Sequence, residues 1–191
     1  MDRSALDELL ERARRREPDA LGRLVDLYAA RVYGLLLRLT GDRDAAEDLM
    51  QETFLRVCRM IDEYQHDGRF ESWLMRIAAN LARDRARQRR RHGVTGSLDE
   101  AGPSGGEGDS SLAGPTPRPD EAVAAAEAGA RLEAALAELS APEREILVLR
   151  HYADLTFREI AELLGVPLGT ALARAHRALG RLRELMRVVN E

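Results

Sequence analysis

A stretch with the composition of a linker divides the chain into two parts. Residues 93–120 read GVTGSLDEAGPSGGEGDSSLAGPTPRPD, with seven Gly, four Pro and four Ser among 28 residues. Such a segment cannot bury enough apolar surface to offset the entropy of ordering it. We therefore predict two small domains, residues 1–92 and 121–191, joined by a flexible acidic linker over residues 93–120.

The composition outside the linker favours helices. Aromatic residues make up 4% of the 191 residues, so Leu, Ala, Val and Ile must build any core, and Leu, Ala, Arg and Glu are good helix formers. We predict an all-α fold. Apolar spacing places helices before Pro18, around 21–39, over 45–61 from a cap at Asp44, over 70–91 and 121–138, up to Tyr152, and over 157–164 and 168–188.

Several function classes are disfavoured by the residues present. No apolar run approaches the roughly 18 residues of a membrane span, and the N-terminus does not resemble a signal peptide. The single cysteine, Cys58, is expected to be a small buried side chain in a reducing compartment. The four His show no ligand spacing, and no nucleophile motif stands out. We predict a cytoplasmic protein that is not an enzyme and has no metal or cofactor.

The net charge of −4 conceals a strongly basic block. Residues 69–92 contain eight Arg and two acidic residues, a local balance of +6. Six of these arginines end the predicted helix 70–91, where the helix dipole favours cations in any case. Arg83 and Arg87 therefore either contact phosphates or form a solvated helix end.

The pattern TFREIAELLGVPLGTALARAHRA, residues 156–178, has the spacing of a helix-turn-helix. Thr156 and Glu159 form a capping box, and Ala161 precedes the turn residue Gly165 by four positions, which allows close helix packing. The N-terminal turns of the last helix would face base edges, and later arginines such as Arg177 would contact phosphates. The alternative is an ordinary helical hairpin with a basic face.

Two other groups are open to more than one interpretation. One side of the predicted helix 45–61 is either a protein-docking face or a solvated surface, and it carries Asp48, Gln51, Glu52, Leu55 and Arg56.

Aromatic residues near the polar loop 62–69 form the second group. Tyr64, which shares this loop with His66, is the better candidate for base stacking. Phe70 and Trp73 fall on the apolar stripe of the next helix and are predicted to be core residues.

Three segments occur in a recognisable order. They are DAAEDLMQETFLRV, FESWLMRIAANLARDRAR, and LSAPEREILVLRHYADLTFREIAELLGV through GTALARAHRALGRLR. The chain resembles bacterial RNA polymerase sigma factors of the extracytoplasmic-function (ECF) group over about residues 18–91 and 130–186.

The resemblance implies a non-enzymatic subunit that binds core RNA polymerase and promoter DNA, with an anti-sigma factor as a further partner. It assigns core polymerase binding to Asp48, Gln51, Glu52, Leu55 and Arg56. It assigns the −10 element to Tyr64, His66, Arg76, Asn80, Arg83 and Arg87, and the −35 element to Arg158, Thr170, Arg174, His176, Arg177 and Arg181.

The last helix departs from the family pattern. Ala171 and Ala175 stand where larger apolar residues are usual, and Ala173 replaces a usual Ser. Two other functions remain open: a stand-alone helix-turn-helix regulator that binds duplex DNA without polymerase, and a helical adaptor that binds only proteins.

Overall fold

The computed structural model describes residues 3–64, 68–91 and 119–188, and every element in them is a helix. The all-α prediction is confirmed for these residues. The N-terminal half (residues 3–91) contains the first four helices and the C-terminal half (residues 119–188) the other four. They are α1 Arg3–Arg14, α2 Pro18–Thr40, α3 Arg43–Met60, α4 Phe70–Arg91, α5 Pro119–Ala137, α6 Ala141–His151, α7 Phe157–Leu164 and α8 Leu168–Val188.

Helix α2 is the centre of the N-terminal half, where it packs against α1, α3 and α4. Its buried stripe recurs every three or four residues, as a helix with one apolar face requires. Leu35 and Leu36 of α2 are completely buried, as are Leu74 and Met75 of α4, and the two helices pack against each other in the same apolar cluster. The outward faces of α3 and α4 are left exposed.

The start of α3 differs from the sequence-based prediction. The capping residue is Asp42, whose carboxylate accepts a hydrogen bond from the Ala45 backbone N–H at 3.1 Å. The predicted cap at Asp44 is wrong because Gly41 ends α2 in a left-handed conformation, which brings the chain into position for a new helix two residues earlier. Asp44 instead lies in the first turn of α3.

In the C-terminal half, the predicted helix ends lie within two residues of those in the structure. The Ser140 N–H donates to the Glu143 carboxylate at 3.3 Å, which closes the predicted capping box of α6. Helix α5 begins at Pro119, so the last two residues of the predicted linker are helical. The rest of that linker, residues 93–118, lies outside the described residues.

The two halves contact each other through α2 and α6. One cluster of buried apolar side chains extends from α2 and α4 into α6 and α7, where it includes Ile146 and Leu149. At the edge of this contact, the Arg38 guanidinium lies 4.0 Å from the centre of the Tyr152 ring and forms an ion pair with Glu133. The halves therefore form one packed unit in this structure.

None of the described helices combines the length and apolarity needed to cross a membrane.

We expect Arg38→Ala to weaken the contact between the halves, because it removes both the cation–π contact and the ion pair. Fluorescence energy transfer between labels on α3 and α8 should report a several-fold larger open population. Arg31→Ala is the matched control, since Arg31 is an α2 arginine whose ion pair with Glu71 lies within the N-terminal half. Equal transfer in both variants would contradict the expected role of Arg38.

Candidate functional site

The outward face of α3 carries the five residues predicted to contact a protein. Asp48, Gln51, Glu52, Leu55 and Arg56 are all exposed, and Leu55 is 58% exposed. The opposite face of α3 is buried against α2 and α4. A leucine exposed beside two carboxylates combines an apolar contact with an acidic rim, an arrangement suited to protein binding.

The basic end of α4 is partly neutralised by acids of neighbouring turns and of α3. The Arg89 guanidinium lies 3.2 Å from the Asp42 carboxylate, and Arg85 lies 3.4 Å from that of Asp48. Arg87 is exposed and pairs with Asp84 at 2.5 Å. These exposed ion pairs are individually weak, so a polyanion can exchange with the carboxylates.

The predicted −10 residues of α4 differ in their surroundings. Arg76 and Asn80 are exposed, as the helical spacing indicated. Arg83 is half-buried and donates a hydrogen bond to the Leu164 backbone carbonyl at 3.2 Å, with Glu145 at 3.6 Å. The C-terminal half therefore holds Arg83 in this arrangement.

Tyr64, the predicted candidate for base stacking, is a buried residue of this structure. Tyr64 is 5% exposed, and its ring centre lies 4.8 Å from that of Trp73 and 5.5 Å from that of Phe70. Aromatic rings gain from such contacts when they are removed from water, so the ring folds inward. Phe70 is buried as predicted, whereas Trp73 is half-buried. His66 lies outside the described residues.

A concavity of about 290 Å³ opens between the end of α3 and the start of α4. Tyr64 and Trp73 form its aromatic part, and the predicted −10 residue Arg76 lies at its edge. The Arg69 guanidinium pairs with Glu159 of α7 at 3.2 Å across it. The complete lining is Glu63, Tyr64, Arg69, Ser72, Trp73, Arg76 and Glu159. Sequence analysis did not place Ser72 or Trp73 at this concavity, and for Trp73 the reason is that the apolar period assigned it to the core.

Helices α7 and α8 form the predicted helix-turn-helix. Gly165 ends α7 with φ 63° and ψ 37°, a left-handed conformation that glycine adopts without steric cost. Ala161 is buried one turn earlier. Ala171 and Ala175, where the family has larger side chains, are also buried, whereas Ala173 is exposed.

The predicted −35 residues surround the outward side of this unit. His176, Arg177 and Arg181 are exposed on α8, and Arg158 is exposed on α7. Thr170 and Arg174 are half-buried at the flank of α8.

Arginines of α8 also act on the cap of α6. Hydrogen bonds from Ser140 lower the pKa of the Glu143 carboxyl, and the positive charges of Arg181 and Arg177 add to this effect. The basic face of α8 therefore extends to the start of α6.

Among the described residues, no group of three or more His, Cys, Asp and Glu side chains is arranged to hold a metal ion. Cys58 is half-buried rather than fully buried as expected.

Comparison with known proteins identifies both halves. Residues 24–92 match the family Sigma-70 region 2, and residues 135–184 match Sigma-70, region 4. The chain is 31% identical over 178 residues to the ECF RNA polymerase sigma factor SigW of Bacillus subtilis, covering 93% of this chain and 95% of SigW. The chain belongs to the ECF sigma factors.

Other relatives agree with this assignment. The sigma factor CarQ of Myxococcus xanthus is 38% identical over 178 residues, with 93% of this chain and 95% of CarQ covered. Among solved structures, the sigma factor RpoE in complex with the anti-sigma factor NepR from Bartonella quintana matches with a TM-score of 0.60 and 25% identity, covering 87% of this chain and 96% of that one. CnrH in complex with the cytosolic domain of CnrY shares the fold, with a TM-score of 0.57 and 23% identity over 94% and 96% of the two chains.

We expect Gly165→Ala to destabilise this sigma factor by about 1 kcal/mol, because an L-residue is strained at a positive φ. No atom lies within 4 Å of the added methyl group, so the cost is conformational rather than steric. Gly180→Ala is the control, since Gly180 is also in open space but lies inside α8. That change should stabilise by up to about 1 kcal/mol. Urea denaturation measures both, and equal signs would contradict the cap assignment.

Asp42 gives this sigma factor a stability that depends on pH. The Ala45 N–H and then Arg89 lower the pKa of the Asp42 carboxyl below its ordinary value of 3.8. Its contribution is therefore present above that ordinary value and is lost as the pH falls through the lower, folded-state pKa. Asp42→Ala should cost about 1 kcal/mol at pH 7 and clearly less near pH 3 by urea denaturation.

Proposed function

We propose that this chain is the promoter-specificity subunit of a bacterial RNA polymerase. It binds core polymerase through the N-terminal half and places the two halves on the −10 and −35 elements of a promoter. The observation that carries this proposal is the pairing, in one chain, of a Sigma-70 region 2 half with an exposed acidic α3 face and a region 4 half with a helix-turn-helix. A regulator that acts without polymerase would not need the Sigma-70 region 2 half with its exposed acidic face.

The exposed face of α3 is the proposed polymerase contact. Its acids Asp48 and Glu52 surround Leu55, which would be covered on assembly. Desolvating an exposed leucine and pairing two carboxylates with basic groups of a partner give both affinity and orientation.

The concavity beside α4 is the proposed site for a base of the −10 element. A base taken out of the duplex loses its stacking, which costs a few kcal/mol. Stacking the base on an aromatic side chain recovers about 1–3 kcal/mol of this free energy. Trp73 would supply that face, while Ser72 and Arg76 would hydrogen-bond the base edge or its phosphate. Asn80 and Arg87 continue the same helix toward the adjoining strand.

Helix α8 is the proposed reader of the −35 element. Its first turns would enter the major groove, and Arg177, Arg181 and Arg158 would hold the flanking phosphates. The half-buried Arg174 and Thr170 lie where they would contact the groove wall.

The packed arrangement of the halves must open for this function. The centres of a −10 and a −35 element are about 25 base pairs apart, or roughly 85 Å along the duplex, whereas the halves touch in this structure. In contact, Glu159 closes over the concavity and Leu164 holds Arg83. The 26 residues 93–118 can span at most about 90 Å when fully extended. Binding to polymerase would therefore release the −10 residues from the C-terminal half.

An anti-sigma factor is a further proposed partner, since the similar sigma factor RpoE was solved in complex with one. Such a partner would act by holding surfaces that polymerase or promoter needs. We also propose that the chain works in the cytoplasm, where polymerase and promoters are, and that it performs no chemical step of its own.

Reversing the charges of the α3 face tests the polymerase contact. Asp48→Lys with Glu52→Lys should reduce co-purification with core polymerase by at least tenfold, because like charges would meet across the contact. Asp19→Lys with Asp26→Lys changes the net charge equally at exposed α2 positions and should leave assembly intact. Helical content measured by circular dichroism should match in both. Normal assembly of the α3 variant would remove the docking assignment.

Run-off transcription tests the whole proposal. Core polymerase supplied with this chain should initiate on a subset of templates with randomised −10 and −35 elements. Failure to initiate on any template would favour the stand-alone regulator if the chain alone binds duplex DNA. It would favour the protein-only adaptor if the chain binds no DNA at all.

A further inference from the structure

The first two turns of α8 present an exposed strip that is apolar rather than polar. Within residues 168–177 the exposed positions are Leu168, Gly169, Leu172, Ala173, His176 and Arg177. The four that come first along the helix carry no side-chain hydrogen-bonding group. The N-terminal end of the proposed reading helix therefore cannot hydrogen-bond to base edges through the exposed side chains, and the polar residues begin only at His176.

Two leucines of this strip are exposed side by side. Leu168 is 41% exposed and Leu172 is 45% exposed, and residues four apart lie on one side of a helix. Large apolar side chains are exposed at only two other positions of the described chain, Leu27 and Leu55, each on a different helix. Helical spacing alone would also allow Leu168 and Leu172 to lie in the core. In the structure, the buried face of α8 contains Ala171 and Ala175 instead.

The strip is bordered by groups that favour DNA over a protein partner. Arg177 and Arg181 are exposed further along α8, and Arg158 is exposed on α7. Gly169 and Ala173 are the smallest side chains available, so they allow the helix backbone to approach a groove floor closely. An apolar strip that is followed by exposed arginines on the same helix, with a further exposed arginine on α7, matches a groove lined by phosphates.

We propose that Leu168 and Leu172 read the methyl groups of thymines in the −35 element. This inference rests on the proposed function, in which α8 enters the major groove. Thymine is the only base that presents an apolar group in that groove. The edges of guanine and cytosine would lose water against a leucine without gaining a hydrogen bond, which is unfavourable.

The consequence is a division of the −35 element into two parts. Bases facing Leu168 and Leu172 are selected for a thymine methyl on one strand. Bases facing His176 and Arg177 are selected by hydrogen bonds, and arginine favours guanine. Ala173, which lacks the hydroxyl usual in the family, belongs to the first part and adds one more methyl contact.

Replacing thymine by deoxyuracil tests the inference, because it removes the methyl group alone. Holoenzyme made from core polymerase and the full chain first selects promoters from a library randomised in the −35 element. Each selected thymine is then replaced by deoxyuracil, and initiation is measured at limiting holoenzyme. We expect about a fourfold loss at the positions facing Leu168 and Leu172, which is the loss for one buried methyl group, and no loss elsewhere.

Variants assign the effect to the leucines. At the position facing Leu172, Leu172→Ala should largely lose the difference between thymine and deoxyuracil promoters, whereas the position facing Leu168 should keep it. Leu172→Arg should shift library selection from thymine toward guanine at the position that it faces. Leu27→Ala is the matched control, since Leu27 is also 45% exposed but lies on α2. It should keep the fourfold difference.

Active transcription with no sensitivity to deoxyuracil, or sensitivity that Leu172→Ala leaves unchanged, overturns the inference while the proposed function stands. In that case we would expect the apolar strip to bind a protein surface instead of DNA. Absence of initiation on every library member overturns the proposed function and this inference with it.

Discussion

Each helix of this protein has one apolar face to bury, and the whole arrangement depends on that constraint. Leu, Ile, Val and Ala make up most of the core, with a few aromatic residues such as Phe70 among them, and α3 and α4 pack their apolar faces against α2. A stripe of this kind covers roughly a third of a helix surface. The remaining surface of α3, α4 and α8 is therefore free to carry recognition residues without disturbing the core.

The distribution of charge explains how a chain with a negative net charge can bind a polyanion. The net charge is −4, yet the arginines of α4 and α8 form local basic faces. In the free chain, acids such as Asp42, Asp48 and Asp84 pair with α4 arginines at exposed positions. Exposed pairs gain little, so DNA phosphates can replace the carboxylates, and affinity for promoter DNA should fall with added salt.

Local signals predicted local structure well. Thr156, Glu159 and Gly165 place the ends of α7 at the residues that the sequence indicated, because a capping box and a left-handed glycine act within one turn. The exposure of the five α3 residues followed from helical period alone. The start of α3 was missed by two residues because two acids, Asp42 and Asp44, compete for the same cap. Only the direction of the chain after Gly41 decides between them.

The sequence by itself determined the helices, their apolar faces, the helix-turn-helix and the family, since these depend on spacing within short segments. Tertiary structure decided which polar-looking residues are covered. It buried Tyr64 against Phe70 and Trp73, and it placed Arg83 against Leu164 of the other half. It also left Leu168 and Leu172 exposed while Ala171 was buried. Periodicity gives the angle of a residue around its own helix, whereas burial depends on which other helix arrives there, and that partner lies far away in the chain.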